Sequence, residues 1–179
     1  MSIILHRLIR DRKIIPSKTS LGMVLKEMEG GKSDLSEAKE SLKSGRHKWA
    51  IVQAYYSAFH SARALLYAKS FREKSHRGLL AALRELYERE IPPSMLDAFE
   101  ETMNMREAAD YGLTYSEEGA INAVKVAEEF VNKTRSVLRT RQRSSSGQRD
   151  MLPYLGTLKP SSTSKLPPRQ RKKSTRTKT

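Results

Sequence analysis

The stretch WAIVQAYYSAFHSARALLY, residues 49–67, decides the fold of this chain of 179 residues. Taken as an α-helix, with roughly 100° of rotation per residue, it carries apolar residues at helical spacing along one side. This apolar stripe contains Ile51, Tyr55, Ala58, Ala62 and Leu65. A second set of side chains falls within an arc of about 80° on the side away from the stripe. That set consists of Trp49, Gln53, Tyr56, His60, Arg63 and Tyr67.

We call this second set the polar-aromatic face, and its chemistry differs from that of an ordinary solvated helix surface. It presents aromatic rings, an amide, an imidazole and a guanidinium, which are groups that recognise ligands and partners. Its alternating spacing of four and three also suits packing against another helix of the same chain, although such contacts usually carry leucine. We therefore predict that the face lines a ligand cleft or a homodimer interface, with an internal helix contact as the alternative.

Helical spacing of apolar residues continues through most of the chain, and no segment shows sustained alternation with a period of two residues. A short amphipathic segment starts at Leu21 and is stopped by Gly30-Gly31. Five predicted helices follow: from Ser33 or Ser36 to Gly45, over residues 46–70, from Ser75, from Ser94 to Asp110, and behind a capping box of Thr114 and Glu117. Because the loops between them are short, we predict an all-α, up-and-down bundle of four to five helices over residues 19–138.

The net charge of +14 is distributed unevenly along the chain. Residues 139–179 hold twelve Lys or Arg and one acid, or +11, which leaves +3 for residues 1–138. The same segment is rich in Ser, Thr and Pro and lacks the apolar surface that offsets ordering entropy, so we predict a disordered basic tail that contacts nucleic-acid phosphates. The tail cations assigned to this contact are Arg139, Arg141, Arg143, Arg149, Arg169, Arg171, Lys172, Lys173 and Arg176. Residues 1–18 form a separate N-terminal segment, basic and irregular.

The composition excludes several classes of protein. The absence of cysteine rules out disulfides and thiolate metal sites. No apolar run approaches the ~20 residues that span a bilayer, and no apolar signal-peptide segment follows the N-terminal charges. No glycine-rich phosphate loop, zinc-ligand spacing or Ser-His-Asp arrangement is visible. We expect a cytoplasmic protein with no metal, no cofactor and no membrane contact.

Three separated motifs carry a resemblance to a known family. They are AYYSAFHSARALL at residues 54–66, SHRG at 75–78 and REAADY at 106–111. In this order they resemble the HEPN family, named for "higher eukaryotes and prokaryotes nucleotide-binding", and most closely its small stand-alone prokaryotic branch. The resemblance covers residues 33–138. It implies a bundle of four or five helices, a homodimer, and a minimal nucleotidyltransferase as partner, often as toxin and antitoxin.

The resemblance also implies a candidate activity, with one departure at its centre. Active HEPN members are metal-independent endoribonucleases that use an Arg followed, after four to six residues, by a His. The imidazole takes the proton of a ribose 2′-OH, and the guanidinium steadies the charge on the phosphate. Here Arg106 matches the arginine, but residues 111–113 are Tyr, Gly and Leu, and no histidine follows His76. Asp110 and Tyr111 stand where the histidine is expected, and His60 is a candidate to assist them.

Ordinary structural roles compete with these assignments. Arg106 and Asp110 are four residues apart on a predicted helix, which is the spacing of an intrahelical ion pair. His60 suits a hydrogen-bonded interface position as well as a catalytic one. His76 follows Ser75 at a predicted helix N-terminus, a place that favours anions, although helix capping alone explains the serine.

Three functions therefore stay open on the sequence. The first is a binding and interaction module that holds nucleotide or RNA in a polar cleft between protomers. The second is an endoribonuclease toxin that uses Arg106 with Asp110 or Tyr111. The third is a purely structural dimer. The missing histidine favours the first over the second.

Overall fold

The structure is a computed structural model that describes residues 3–112 and 114–144, with side chains through Thr140. In this part the chain forms six α-helices and one pair of short β-strands. The elements are α1 (Ile3–Arg10), β1 (Ile14–Pro16), α2 (Leu21–Lys43), α3 (His47–Ala68), β2 (Phe71–Glu73), α4 (His76–Leu86), α5 (Pro93–Tyr111) and α6 (Glu117–Ser144). The predicted all-α class is confirmed, and the helix number rises to six because the N-terminal segment contributes α1. No helix within the described ranges is long and apolar enough to cross a membrane.

The central helix α3 packs against α2, α4, α5 and α6, and most of its residues are buried. Its apolar stripe meets α4 and α5, where Tyr55 stacks on Phe99 with ring centroids 6.0 Å apart. Phe99 in turn packs on Phe130 of α6, at 5.2 Å. A second, alanine-rich cluster lies at the end of the bundle where α3 and α6 begin. The apolar stripe of residues 49–67 therefore forms the centre of the core.

The helix α2 runs antiparallel to α3, as an up-and-down bundle requires. Ser41, near the end of α2, hydrogen-bonds Gln53, whereas Glu27, near its start, contacts His60. The prediction that Gly30-Gly31 stops this segment is wrong, because α2 is continuous from Leu21 to Lys43. Glycine costs about 1 kcal/mol of helix propensity, and the contact with α3 outweighs that cost.

The contact at Gly31 explains why a glycine stands inside α2. A Cβ at Gly31 would lie 2.8 Å from Ser61 Oγ and 2.9 Å from the backbone oxygen of Ser57. The Ser57 hydroxyl donates a 2.7 Å hydrogen bond to the Gly31 carbonyl oxygen. The missing side chain therefore lets the two helix backbones approach closely enough to bond through a serine.

From Ile3 onward the N-terminal segment contains regular secondary structure, which corrects the prediction that this segment is irregular. Its helix α1 buries Leu5, and β1 pairs antiparallel with β2, with Ile14 opposite Glu73. The amide of Lys74 donates a 2.9 Å hydrogen bond to the Lys13 carbonyl oxygen. A three-residue strand is too short for alternation to reveal it, and its partner lies almost sixty residues further along the chain.

Both the start and the end of α6 differ from the predictions. The Ser116 hydroxyl, rather than Thr114, caps this helix by accepting a 3.0 Å hydrogen bond from the Gly119 amide, and Thr114 Oγ1 instead bonds the Gly112 carbonyl oxygen. The helix also continues to Ser144, past the predicted start of the tail at Arg139. The remainder of the predicted tail lies outside the described residues.

Replacing Gly31 with alanine tests the close contact of α2 with α3. Although alanine has the higher helix propensity, its methyl group meets the fixed backbone of Ser57, so we expect a net loss of about 1–3 kcal/mol in the free energy of unfolding. Urea unfolding measures the difference.

Gly22→Ala is the matched control, because a Cβ there meets only Ser20 Oγ, at 3.7 Å in the same helix. Its stability should be unchanged or higher. An equal loss in both variants would show that the backbone contact at Gly31 does not govern stability.

Candidate functional site

Arg106 lies near the end of α5, where three aromatic rings and one carboxylate surround its guanidinium. Its Cζ is 5.7 Å from the ring centroid of Tyr55 and 5.9 Å from those of Tyr56 and Tyr111. Its Nε lies 3.0 Å from Asp110 Oδ2, and the side chain is 16% exposed. Burial opposes the charge, but Tyr56 and Asp110 outweigh burial and raise the pKa of Arg106. The site therefore holds a permanent cation that still reaches solvent.

The intrahelical ion pair predicted as an alternative is present, and it is only part of the arrangement around Arg106. Asp110 lies one helical turn beyond Arg106 and directs Oδ2 to it. An exposed pair of this spacing stabilises a helix by a few tenths of a kcal/mol. Here the guanidinium also contacts tyrosine rings of α3, which adds cation–π attraction and fixes its place. Tyr111, at the end of α5, is 82% exposed and covers the guanidinium from outside.

His76 joins this site from the first turn of α4. Its Nδ1 lies 2.6 Å from the hydroxyl oxygen of Tyr55, and its ring packs at a tilt of 50° against Phe59 with centroids 4.6 Å apart. Burial lowers the pKa of His76, and the charge of Arg106 lowers it further. Burial also raises the pKa of Tyr55. The tyrosine and the imidazole are therefore both neutral near pH 7.

The hydrogen bond between Tyr55 and His76 assigns the imidazole proton. Tyr55 is fully buried, so its hydroxyl hydrogen needs an acceptor, and within the described residues that acceptor is His76 Nδ1. A neutral imidazole that accepts at Nδ1 carries its hydrogen on Nε2. Nε2 makes no hydrogen bond within the same part of the chain, and it is not among the buried polar atoms that lack a partner. It therefore presents a free donor to solvent.

His76 was missed as a site residue by sequence reasoning. The SHRG motif and its position at a helix start were the available signals. They do not reveal that α4 brings the imidazole to the same tyrosine that Arg106 contacts, because the two residues are thirty positions apart. Only tertiary packing joins them.

The polar-aromatic face divides between three surroundings. Tyr56 turns toward Arg106 and belongs to the site described above. Gln53 lies between α2 and α3, 2.7 Å from Ser41 Oγ. Trp49 remains 52% exposed at the start of α3, with the ammonium of Lys48 over its ring.

His60 is held by two carboxylates of α2. Its Nδ1 lies 2.7 Å from Glu27 Oε2, and its Nε2 lies 3.6 Å from Asp34 Oδ2. Its side chain is 30% exposed. Within the described residues its polar contacts go to α2 and none goes to Arg106, so the predicted catalytic assistance by His60 has no geometric support here. The alternative of a hydrogen-bonded interface histidine fits these contacts.

Arg63 and Tyr67 form a second charged cluster further along α3. Arg63 Nε lies 2.9 Å from Glu73 Oε1, and Nη2 donates a 2.8 Å hydrogen bond to the Tyr67 hydroxyl. A longer contact of 3.6 Å joins Nη1 to Glu27 Oε1. For Gln53, His60 and Arg63 the polar-aromatic face therefore serves as an internal helix contact, the alternative raised from the sequence. Its role as a ligand cleft or dimer interface stays a prediction for the exposed parts.

Metal binding has no support in the described part of the chain, where no group of three or more His, Asp or Glu is placed to hold an ion. Of the predicted nucleic-acid tail, Arg139 lies on α6. Arg141 and Arg143 fall in its last turns, where side chains are not described. The other tail cations, Arg149, Arg169, Arg171, Lys172, Lys173 and Arg176, lie outside the described residues.

Comparison with known proteins supports the resemblance noted above. The model of the HEPN domain matches residues 25–137. The protein named "Putative toxin MJ0605" from Methanocaldococcus jannaschii is 31% identical over 123 residues, which cover 63% of this chain and 86% of that protein. A UPF0332 protein from Archaeoglobus fulgidus is 32% identical over 108 residues, which cover 58% of this chain and 86% of that protein.

A solved structure supports the fold. The crystal structure of TT1696 from Thermus thermophilus superimposes with a TM-score of 0.56 at 19% sequence identity. The match covers 63% of this chain and 96% of that chain. At this identity the likeness concerns the helical architecture alone.

The lowered pKa of His76 predicts that acidification destabilises the fold. In the unfolded chain the imidazole titrates near its ordinary value of about 6.5, whereas in the folded chain it takes a proton only at lower pH. Between these values the unfolded state binds more protons, so the free energy of unfolding falls as the pH drops below about 6.5. Urea midpoints measured over about pH 5–8 report this slope.

The variant His76→Asn removes the titrating group and keeps an acceptor for Tyr55, so its stability should change less with pH over the same range. His6→Asn, at an exposed position on α1, is the matched control. A slope that His76→Asn leaves unchanged would contradict the assignment.

Proposed function

Because the chain belongs to the HEPN domain family, we propose that it is a nucleotide- and RNA-binding, protein-interaction module that acts through the cleft around Arg106. The observation that carries the proposal is the arrangement of that guanidinium. It is partly buried, it carries a charge at any physiological pH, and exposed aromatic surface lies beside it. A guanidinium recognises phosphate oxygens through its fork of donors, and tyrosine rings stack on bases.

The surroundings of Arg106 favour binding over cleavage. Cleavage at a ribose 2′-OH needs a proton acceptor beside the phosphate. The Asp110 carboxylate is paired with Arg106, and His60 is paired with Glu27. Tyr111 carries its phenol at the surface. Of the candidate bases named from the sequence, Asp110 and His60 are therefore already engaged within the chain.

The second candidate is a metal-independent endoribonuclease toxin, in which Arg106 acts with Asp110 or Tyr111. The observation that favours it is the name of the relative from Methanocaldococcus jannaschii, which describes that protein as a toxin. The toxin reading also suits a nucleotidyltransferase antitoxin as partner, which the family resemblance implies. We retain that partner, and a cytoplasmic site of action, as part of the first proposal as well.

The basic tail supplies a second nucleic-acid contact in this proposal. Its twelve cations and single acid exceed what solubility requires. Such a segment contacts phosphates without reading bases, and its contribution weakens steeply as salt increases. The tail therefore adds affinity, whereas the cleft around Arg106 determines what is bound.

Arg106→Ala tests the cleft. We expect a short fluorescein-labelled single-stranded RNA at low salt to lose about 10- to 100-fold in affinity, because a charged donor to phosphate is removed. Fluorescence anisotropy measures the binding. Incubation of the wild-type protein with total RNA, without added metal, should leave the RNA intact.

Arg84→Ala is the matched control, since it removes the same charge from a guanidinium already paired with Asp97 and Glu100. Its affinity for RNA should stay at the wild-type value. RNA cleavage by the wild-type protein that disappears in Arg106→Ala would instead support the endoribonuclease.

A homodimer is the second part of the proposal. Trp49, Tyr115 and Ile121 are each about half exposed, and they lie near the end of the bundle where α3 and α6 begin. Large apolar side chains on a charged protein mark candidate contact surfaces. This end also lies next to the exposed ring of Tyr111, so a protomer bound there borders the cleft.

Light scattering after size-exclusion chromatography tests the dimer. The molar mass of the wild-type protein should be twice the chain mass of 20.4 kDa, and the Trp49→Glu variant should have the mass of one chain. Ile3→Glu, at an exposed apolar position on α1, is the control that should stay dimeric. A wild-type protein that is monomeric at micromolar concentration would refute this part of the proposal.

A further inference from the structure

We propose that His76 is the second anion-binding residue of the cleft around Arg106, and that its Nε2–H donates to the phosphate group that the guanidinium holds. This inference rests on the function proposed above and deepens it. The ligand class is a phosphate monoester or phosphodiester. The imidazole comes from α4 rather than from the segment that follows Arg106.

Tyr55 connects the two donors. Its ring centroid lies 5.7 Å from Arg106 Cζ and 5.7 Å from the centroid of the His76 ring. Its hydroxyl meets His76 Nδ1 at 2.6 Å. One fully buried side chain of α3 thus has a guanidinium from α5 and an imidazole from α4 against it. Both groups lie at the surface of the same ring, and both reach solvent.

The tautomer of His76 makes it a donor. Nδ1 accepts the tyrosine hydrogen, so the lone pair that could remove a proton from a substrate is already used. Nε2 carries hydrogen and faces solvent, which suits it to an acceptor such as a phosphate oxygen. The cleft therefore combines Arg and His, as the active family members do, but in a form that binds a phosphate without activating a ribose hydroxyl.

The backbone around His76 is held in place before any ligand binds. The Ser75 hydroxyl accepts a 3.0 Å hydrogen bond from the Gly78 amide and caps α4. A Cβ at Gly78 would lie 2.5 Å from the Lys13 carbonyl oxygen, so the backbone of the N-terminal segment is in close contact with this turn. A preorganised donor loses less freedom on binding, which increases the affinity that one hydrogen bond contributes.

The charges that face His76 leave room for an anion. Arg106 and Arg63 act on it with positive charge, and Glu73 and Glu107 act with negative charge. Glu73 is committed to Arg63 through a 2.9 Å contact. Arg106 pairs with Asp110 through Nε and hydrogen-bonds Tyr56, so part of its set of five N–H donors is left for a ligand.

A purely structural role for His76, as the acceptor for the buried hydroxyl of Tyr55, makes different predictions. Two variants separate the roles. In His76→Asn the amide oxygen stands near the place of Nδ1, so it serves Tyr55 but does not reach the place of Nε2. In His76→Gln the amide nitrogen reaches the place of Nε2, but the acceptor for Tyr55 is displaced.

We expect His76→Asn to lose more RNA affinity than His76→Gln, and yet to be the more stable of the two variants. By fluorescence anisotropy with short labelled single-stranded RNA, His76→Asn should lose about tenfold in affinity and His76→Gln less than about threefold. By urea unfolding, His76→Gln should be the less stable variant. RNA affinity that follows stability instead, with His76→Asn at the wild-type value, would overturn the proposal.

Nitrogen NMR of the imidazole gives a second readout. Nε2 of the wild-type protein should show the shift of a protonated nitrogen, and inorganic phosphate should move that shift and raise the pKa of His76. If Arg106→Ala loses RNA binding and both His76 variants keep it, the inference about His76 fails and the proposed function stands. If the wild-type protein binds no RNA, the proposed function fails. In that case, an Nε2 chemical shift that does not change when inorganic phosphate is added overturns the inference about His76 as well.

Discussion

The hydroxyl of Tyr55 sets the constraint on which the candidate site depends. It sits in the middle of a helix that is covered by four others, and a buried hydroxyl without a partner costs about 1–3 kcal/mol. His76 satisfies it, and the same ring supports Arg106. The positions of α4 and α5 around α3 are therefore tied to the geometry of the proposed site, because the packing of both helices and the placement of His76 and Arg106 depend on one side chain.

The charged residues of α3 and Arg106 of α5 differ in how far their charges are compensated within the chain. Carboxylates of α2 and β2 engage Arg63 and His60, so the charge of Arg63 is largely compensated and the imidazole of His60 has its partners within the chain. Arg106 has a single carboxylate partner, hydrogen-bonds Tyr56 and otherwise contacts aromatic rings. With fewer carboxylate partners than Arg63, it keeps more of its donors for the ligand proposed above.

The N-terminal segment is integral to the fold although it lies outside the residues that match the HEPN domain. Its strand β1 pairs with β2, and Lys13 contacts both Lys74 and the turn at Gly78. These contacts hold the first turn of α4, where His76 stands. A segment that looked like a basic extension therefore shapes the position of a candidate binding residue.

The helical class, the central place of residues 49–67 and the family followed from the sequence, which also selected Arg106 as a candidate site residue, because helical spacing and short motifs are local properties. Three features did not follow: the continuity of α2 through Gly30-Gly31, the pairing of β1 with β2, and the meeting of His76 with Arg106. Each depends on contacts between residues distant in the chain. Gly31 is tolerated because α3 approaches it, and His76 becomes a donor because a buried tyrosine occupies its other nitrogen. Local pattern determines which helices form, whereas tertiary packing decides which polar groups are satisfied internally and which remain free to bind.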